Sequence, residues 1–120
     1  MKLRLHGNSL RLRLTRREVE RLRADGAVEE SVDLGGAALT YRLETAEQCD
    51  PVHAELQQSA LKISVDKETA DGWATSDDVG IYARVGALTV SIEKDFRCLT
   101  RPLDDAERDC YPNPAEEVQP

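Results

Sequence analysis

Lys2 to His6 and Ser9 to Leu14 alternate apolar and polar residues with period two, the spacing of a half-buried strand. Gly7-Asn8 between them suits a two-residue hairpin loop that needs positive φ. With that loop, Leu5 faces Leu10 and Leu3 faces Leu12 on one side, while Arg4 faces Arg11 and Lys2 faces Arg13 on the other. The leucine side is expected in the core. The opposite side stacks cations across the ladder, which costs stability unless solvent or an anion relieves it. Thr15-Arg-Arg-Glu18 then has the form of a capping box and predicts a helix from Arg16 to about Ala24, ended by Asp25-Gly26. Val19 and Leu22 form its apolar stripe.

Val28 to Leu34 and Ala38 to Glu44 predict a second hairpin around Gly35-Gly36, with Val32 opposite Leu39, Val28 opposite Leu43 and Glu29 opposite Arg42. Glu30, opposite Tyr41, is an acid on the apolar side and is expected at the edge of the core. Thr45 to Pro51 loses the periodicity and is expected as a linker.

After the linker the pattern restarts. An offset of 51 residues carries Leu5 to Leu56, Leu10 to Leu61, Leu12 to Ile63, Leu14 to Val65, Thr15 to Asp66, Val19 to Ala70, Leu22 to Trp73 and Val28 to Val79. An offset of 49 carries Leu39 to Leu88, Tyr41 to Val90 and Leu43 to Ile92, with a shorter turn at Val85-Gly86 taken to account for two missing residues. A cap, a helix and two strands recur in the same order, so the chain is expected to be an internal duplication. The fold class is α+β, mainly β. Two hairpin-helix-hairpin units, residues 1–44 and 52–93, are expected to pack about a pseudo-twofold axis as a small barrel or sandwich, either as a monomeric pseudo-dimer or as a homodimer. Residues 1–100 form one domain on this reading, with residues 45–51 as linker. Residues 101–120 form an acidic, proline-containing tail in which Tyr111-Pro-Asn-Pro114 should be extended.

With 120 residues, 40% of them hydrophobic, one core is the default. The N-terminus alternates Lys and Arg with Leu where a secretory signal needs a continuous apolar stretch, and no apolar run approaches the roughly 20 residues of a membrane helix. Cys49, Cys98 and Cys110 are odd in number and irregular in spacing, which favours a reducing compartment and leaves a Cys98–Cys110 disulfide open. The expected location is cytoplasmic.

The net charge of −7 is unevenly spread. Residues 1–23 hold eight basic residues against Glu18 and Glu20, or +6, so the remainder carries −13. The basic unit has no basic copy: around the second turn, Gln58-Ser59, the outward positions read Glu55, Gln57, Lys62 and Ser64.

His6 to Leu22, HGNSLRLRLTRREVERL, resembles the start of the swapped-hairpin DNA-binding domains of bacterial transition-state regulators and antitoxins. Gly7, Asn8, Ser9, Leu10, Arg13 and the helix from Arg16 carry that resemblance, which covers about 44 residues; Thr15 stands where the antitoxins commonly have proline. The resemblance implies two halves closing into one barrel whose basic hairpins meet DNA. Over its whole length the chain also resembles a family of small uncharacterised bacterial proteins. Lys2, Gly7-Asn8-Ser9, Leu12-Arg13-Leu14-Thr15, Glu93-Lys94-Asp95-Phe96 and Tyr111-Pro112-Asn113-Pro114 carry that second resemblance, which implies no activity.

The candidate binding residues are Lys2, Arg4, Arg11, Arg13, Arg16 and Arg17, since clustered cations neutralise phosphate and guanidinium forks grip it bidentately. No aromatic interleaves with them in this stretch, which disfavours stacking on single strands. Cys49, His53, Cys98 and Cys110 are zinc-type ligands without paired Cys-x2-Cys spacing, so no metal is expected. No phosphate loop, nucleophile elbow or activated carboxylate pair is present, and neither catalysis nor a cofactor is expected. Trp73 reads as a core anchor. The expected function is a non-enzymatic binding domain with an anionic partner, most concretely a DNA-binding regulator of antitoxin type. The alternative is an accessory or assembly protein that docks on a larger protein complex without nucleic acid, using the same face for an acidic partner or the proline-rich tail as an arm.

Overall fold

Locally, the alternating stretches and the caps become the elements they predict. The computed structural model describes residues 1–47 and 51–96. Strands β1 (Lys2–His6) and β2 (Ser9–Leu14) form the first hairpin, with Leu5 opposite Leu10, Arg4 opposite Arg11 and Lys2 opposite Arg13. Helix α1 (Arg16–Asp25) follows its capping box: the Glu18 amide donates to the Thr15 hydroxyl at 3.4 Å, and the Thr15 amide donates to the Glu18 carboxylate at 2.8 Å. Gly26, at φ 82°, closes the helix in the left-handed conformation that glycine adopts without strain.

The second hairpin, β3 (Ala27–Asp33) and β4 (Ala38–Ala46), has the expected register, with Val32 opposite Leu39, Val28 opposite Leu43 and Glu29 opposite Arg42. β4 runs to Ala46, two residues into the expected linker, because its ladder with a later strand continues that far. Past the connection come β5 (Val52–Gln57), β6 (Ala60–Asp66), α2 (Lys67–Ala74), β7 (Gly80–Val85) and β8 (Leu88–Lys94). Asp66 caps α2 by accepting from the Thr69 amide, the role Thr15 plays for α1.

The strands form two four-stranded sheets, ordered β1-β2-β8-β7 and β3-β4-β6-β5. The first sheet therefore joins the hairpins nearest the two ends of the described chain, and the second joins the two hairpins between them. At its centre lies a parallel pair, β2 with β8 in the first sheet and β4 with β6 in the second. The inward residues of both sheets meet in one core, with Leu12, Leu14, Val90 and Ile92 from the first, Leu43, Ile63 and Val65 from the second, and Leu22 and Trp73 from the helices. The ladders end at β1 and β7 in one sheet and at β3 and β5 in the other, so they form a mainly β, two-sheet structure and not one closed ring.

Four expectations shift. Leu5 lies on the core side yet is 63% exposed, since it sits beside the turn on an edge strand where alternation gives the side but not the depth. Val32, also on the core side, is half-exposed near its own turn. Val79 is exposed ahead of β7, and Ile81 opposite Ile92 takes the ladder place that Val28 takes opposite Leu43. The second turn is Gly86-Ala87 between Val85 and Leu88, four residues shorter than the stretch between Val32 and Leu39. The connection between α2 and β7 is four residues longer than that between α1 and β3 while α2 is two residues shorter than α1, which together offset half of that difference.

Glu30 explains itself at the edge of the core. Its carboxylate accepts from the Tyr41 hydroxyl at 3.1 Å and from the Met1 ammonium, which also donates to Glu18. Burial disfavours a charged ammonium, but the hydrogen bonds to Glu18 and Glu30 prevail and hold its pKa above the ordinary value.

Candidate basic sheet face

Antiparallel and parallel pairing alike set directly opposed residues on one side of a sheet, so the registers define the outward face of the first sheet row by row. One row reads Lys2, Arg13, Glu93 and Gly80 across β1, β2, β8 and β7. The next reads Arg4, Arg11, Ser91 and Tyr82, and the third His6, Ser9, Thr89 and Arg84. The fold therefore brings Lys2, Arg4, Arg11 and Arg13 together and adds Arg84 and an exposed Tyr82 from the far end of the sequence. Neither addition is visible in the first hairpin, because only the parallel β2–β8 ladder delivers them. The aromatic that the N-terminal stretch lacks is supplied this way.

Arg16 and Arg17 stand apart, exposed on the first turn of α1. Arg16 lines a groove of about 440 Å³ with Leu14, Val19, Lys94, Asp95 and Phe96, among others.

Stacked cations repel across a ladder, and here the second half of the chain supplies the relief. The Glu93 carboxylate lies 3.2 Å from the Arg11 Nε and 3.7 Å from the Arg13 Nε, and Lys2 Nζ lies 3.1 Å from Asp95. Arg4 and Arg84 have no carboxylate partner among the described residues. The Tyr82 hydroxyl donates to Glu93 at 2.8 Å, passing over Gly80, where a Cβ would stand 2.9 Å from that hydroxyl and 2.8 Å from the Ile92 carbonyl oxygen. Burial first, and the Glu93 hydrogen bond second, push the Tyr82 phenol above its ordinary value of 10.

The second sheet offers the comparison. Its outward face interleaves Glu29, Glu44 and Glu55 with Arg42 and Lys62. Four ion pairs of 3.4 to 3.9 Å link them. Five cations that among the described residues meet only Glu93 and Asp95 on one sheet, and two cations interleaved with three glutamates on the other, distinguish two faces built by the same strand arrangement.

Trp73 is a core residue whose indole N–H donates to the Val79 carbonyl at 3.1 Å. Cys49, Cys98, Cys110 and the 101–120 tail lie outside the described residues, and with them the zinc and disulfide questions. Among the described residues no group of three His, Cys, Asp or Glu side chains is placed to hold a metal, and no helix is long and apolar enough to cross a membrane.

These features define a two-sheet protein with one basic outward sheet face. A family model described as a family of unknown function, DUF7009, matches residues 1–115, and the chain belongs to that family. The match extends through Tyr111-Pro-Asn-Pro114. No curated protein and no solved structure matches the chain.

Proposed function

We propose that this chain is a duplicated, non-enzymatic binding domain that presents the outward face of its first sheet to DNA, as a regulator of antitoxin type. The observation that carries the reading is the contrast between the two sheet faces, five cations against Glu93 and Asp95 on one and two cations among three glutamates on the other. A chain with a net charge of −7 concentrates positive charge in one place, and that place attracts a polyanion while the rest repels it.

Duplication is supported by the strand orders, since exchanging β1, β2, β8 and β7 for β5, β6, β4 and β3 turns one sheet into the other. Hydrogen bonds at the turns follow the same exchange. The Thr89 amide donates to the Asn8 carbonyl at 3.1 Å, and the Thr40 amide to the Ser59 carbonyl at 3.0 Å. The pseudo-dimer reading therefore has each unit lending one hairpin to each sheet, as the swapped-hairpin regulators do between chains.

A salt series of duplex-DNA binding tests the DNA reading, because each phosphate contact contributes roughly −0.9 to the slope of log K against log salt. The Arg4→Ala, Arg84→Ala protein should bind more weakly with a shallower slope, and an Arg42→Ala protein should match the wild type. Absence of binding at low salt removes the DNA reading. Docking on an acidic protein surface is the second reading, favoured by the carboxylates that already pair with Arg11, Arg13 and Lys2 at 3.1 to 3.7 Å. On that reading a stoichiometric protein partner is lost on reversing Arg4 and Arg84, with no DNA binding at any salt.

A further inference from the structure

Three strands of the basic face enclose a cleft of about 270 Å³, lined by Arg4, His6, Ser9, Arg11, Thr89 and Ser91 together with Leu10. The registers make this a grid of two rows, Arg4–Arg11–Ser91 and His6–Ser9–Thr89. With strands about 4.8 Å apart and alternate residues about 6.6 Å apart along a strand, the six side chains ring a patch on the order of 10 by 7 Å. The lining holds two guanidiniums, one imidazole and three hydroxyls, and no carboxylate. Drug-sized ligands occupy sites of roughly 300–1,000 Å³, so this cleft fits one small group and not a whole cofactor.

The corresponding place on the second sheet shows that this composition does not follow from the strand arrangement. There the ladder reads Glu55–Lys62–Arg42 and Gln57–Ala60–Thr40, and the Lys62 Nζ is already 3.6 Å from Glu55. A carboxylate stands where the first sheet has Arg4, and alanine stands where it has Ser9. Arg4 itself has no carboxylate partner among the described residues, and Arg11 meets Glu93 through its Nε.

We propose that this cleft binds a single terminal phosphate group, a phosphomonoester carried at the end of a nucleic-acid strand or on a small phosphate ester. The proposal deepens the reading above, on which it rests for the choice of face. Guanidinium forks and hydroxyls supply charge-assisted hydrogen bonds to phosphate oxygens, and the Glu93 carboxylate lies outside the lining and meets Arg11 through its Nε. A terminal phosphate carries more charge than a backbone diester, which suits a pocket with two guanidiniums within one grid.

Amide NMR of the full chain titrated with inorganic phosphate is the test. Saturable shifts are expected at Arg4, Ser9, Arg11, Thr89 and Ser91, and not at Arg42 or Lys62. The Arg4→Gln, Ser91→Ala protein should bind phosphate about ten- to hundredfold more weakly, as loss of a charge-assisted hydrogen bond predicts. Unchanged signals from the core residues Leu22, Leu43 and Val65 establish that this protein is folded. Short strands with a 5′-phosphate or a 5′-hydroxyl distinguish the sources: tighter binding of the phosphorylated strand identifies a strand end, and equal binding beside saturable inorganic phosphate identifies a small ester. Shifts spread evenly over all surface cations, or phosphate binding untouched by the double substitution, overturn the proposal. Duplex binding retained while the phosphate shifts are absent sinks the cleft alone. Phosphate held in the cleft by a protein that binds no DNA sinks the DNA reading alone.

Discussion

Glu93 is the point where the protein restrains its own basic face, and neutralising it as Glu93→Gln should increase polyanion binding. The carboxylate sits 3.2 Å from one arginine and 3.7 Å from another and is itself mostly buried, so its loss frees Arg11 and Arg13 together. Two further phosphate contacts steepen the slope of log K against log salt by about 1.8, which over a fourfold change in salt is an additional factor of about 12 in affinity. The fold should tolerate the change, since the glutamine has the same shape and can still accept from Tyr82, and the arginine partners are about a third exposed, where ion pairs are worth about 0–1 kcal/mol. Fluorescence anisotropy with a labelled duplex across a salt series measures the slope directly. Glu55→Gln, on the second sheet, is the control and should leave it unchanged. An unaltered slope in Glu93→Gln, or the same steepening in Glu55→Gln, would falsify the view that this carboxylate holds the two arginines back.

The same variant should lower the Tyr82 pKa toward the ordinary value of 10, read by NMR titration of the ring, because the hydrogen bond to Glu93 contributes to its elevation. Gly80→Ala should destabilise the fold by roughly 1–3 kcal/mol in urea unfolding, since its Cβ would meet a backbone oxygen at 2.8 Å and overpacking in a tight site carries that cost. Glu18→Gln should cost roughly 1.5–3 kcal/mol at neutral pH, the range for hydrogen bonds to charged groups. Burial tends to raise the Glu18 carboxyl, but hydrogen bonds from the Met1 ammonium and Thr15 win and hold it below its ordinary 4.5. Its contribution is therefore full above that value and lost as pH falls through the lower folded pKa, so wild type and variant should converge in stability in acid.

Much of the first unit was legible because its signals are local. The Gly7-Asn8 loop dictates which leucine meets which, and Thr15 with Glu18 places the helix start within one turn. The partner of β2 was not legible, since nothing near Leu10 or Leu12 in sequence points to Val90 or Ile92. For the same reason the sequence displays only half of the candidate face. Its arginines were visible, whereas Arg84, Tyr82 and the restraining Glu93 arrive only through the β2–β8 ladder. Offsets carried along the chain also mislead where two length changes partly cancel, which is how Val79 came to be expected in place of Ile81. Periodicity assigns a residue to a side, and proximity to a turn on an edge strand then decides exposure, as at Leu5.

The two sheets differ in how much chain must be finished before each can form. The second is assembled from residues 27–66, a contiguous stretch whose strands follow one another closely. The first must bring Lys2–Leu14 back to Gly80–Lys94, a closure of nearly the whole described chain that bears a larger entropic cost and slows folding. On a ribosome the first hairpin emerges earliest and waits longest, its β2 edge unpaired until β8 follows. The basic face is thus the last surface to be completed, and it comes into being together with the carboxylate that restrains it.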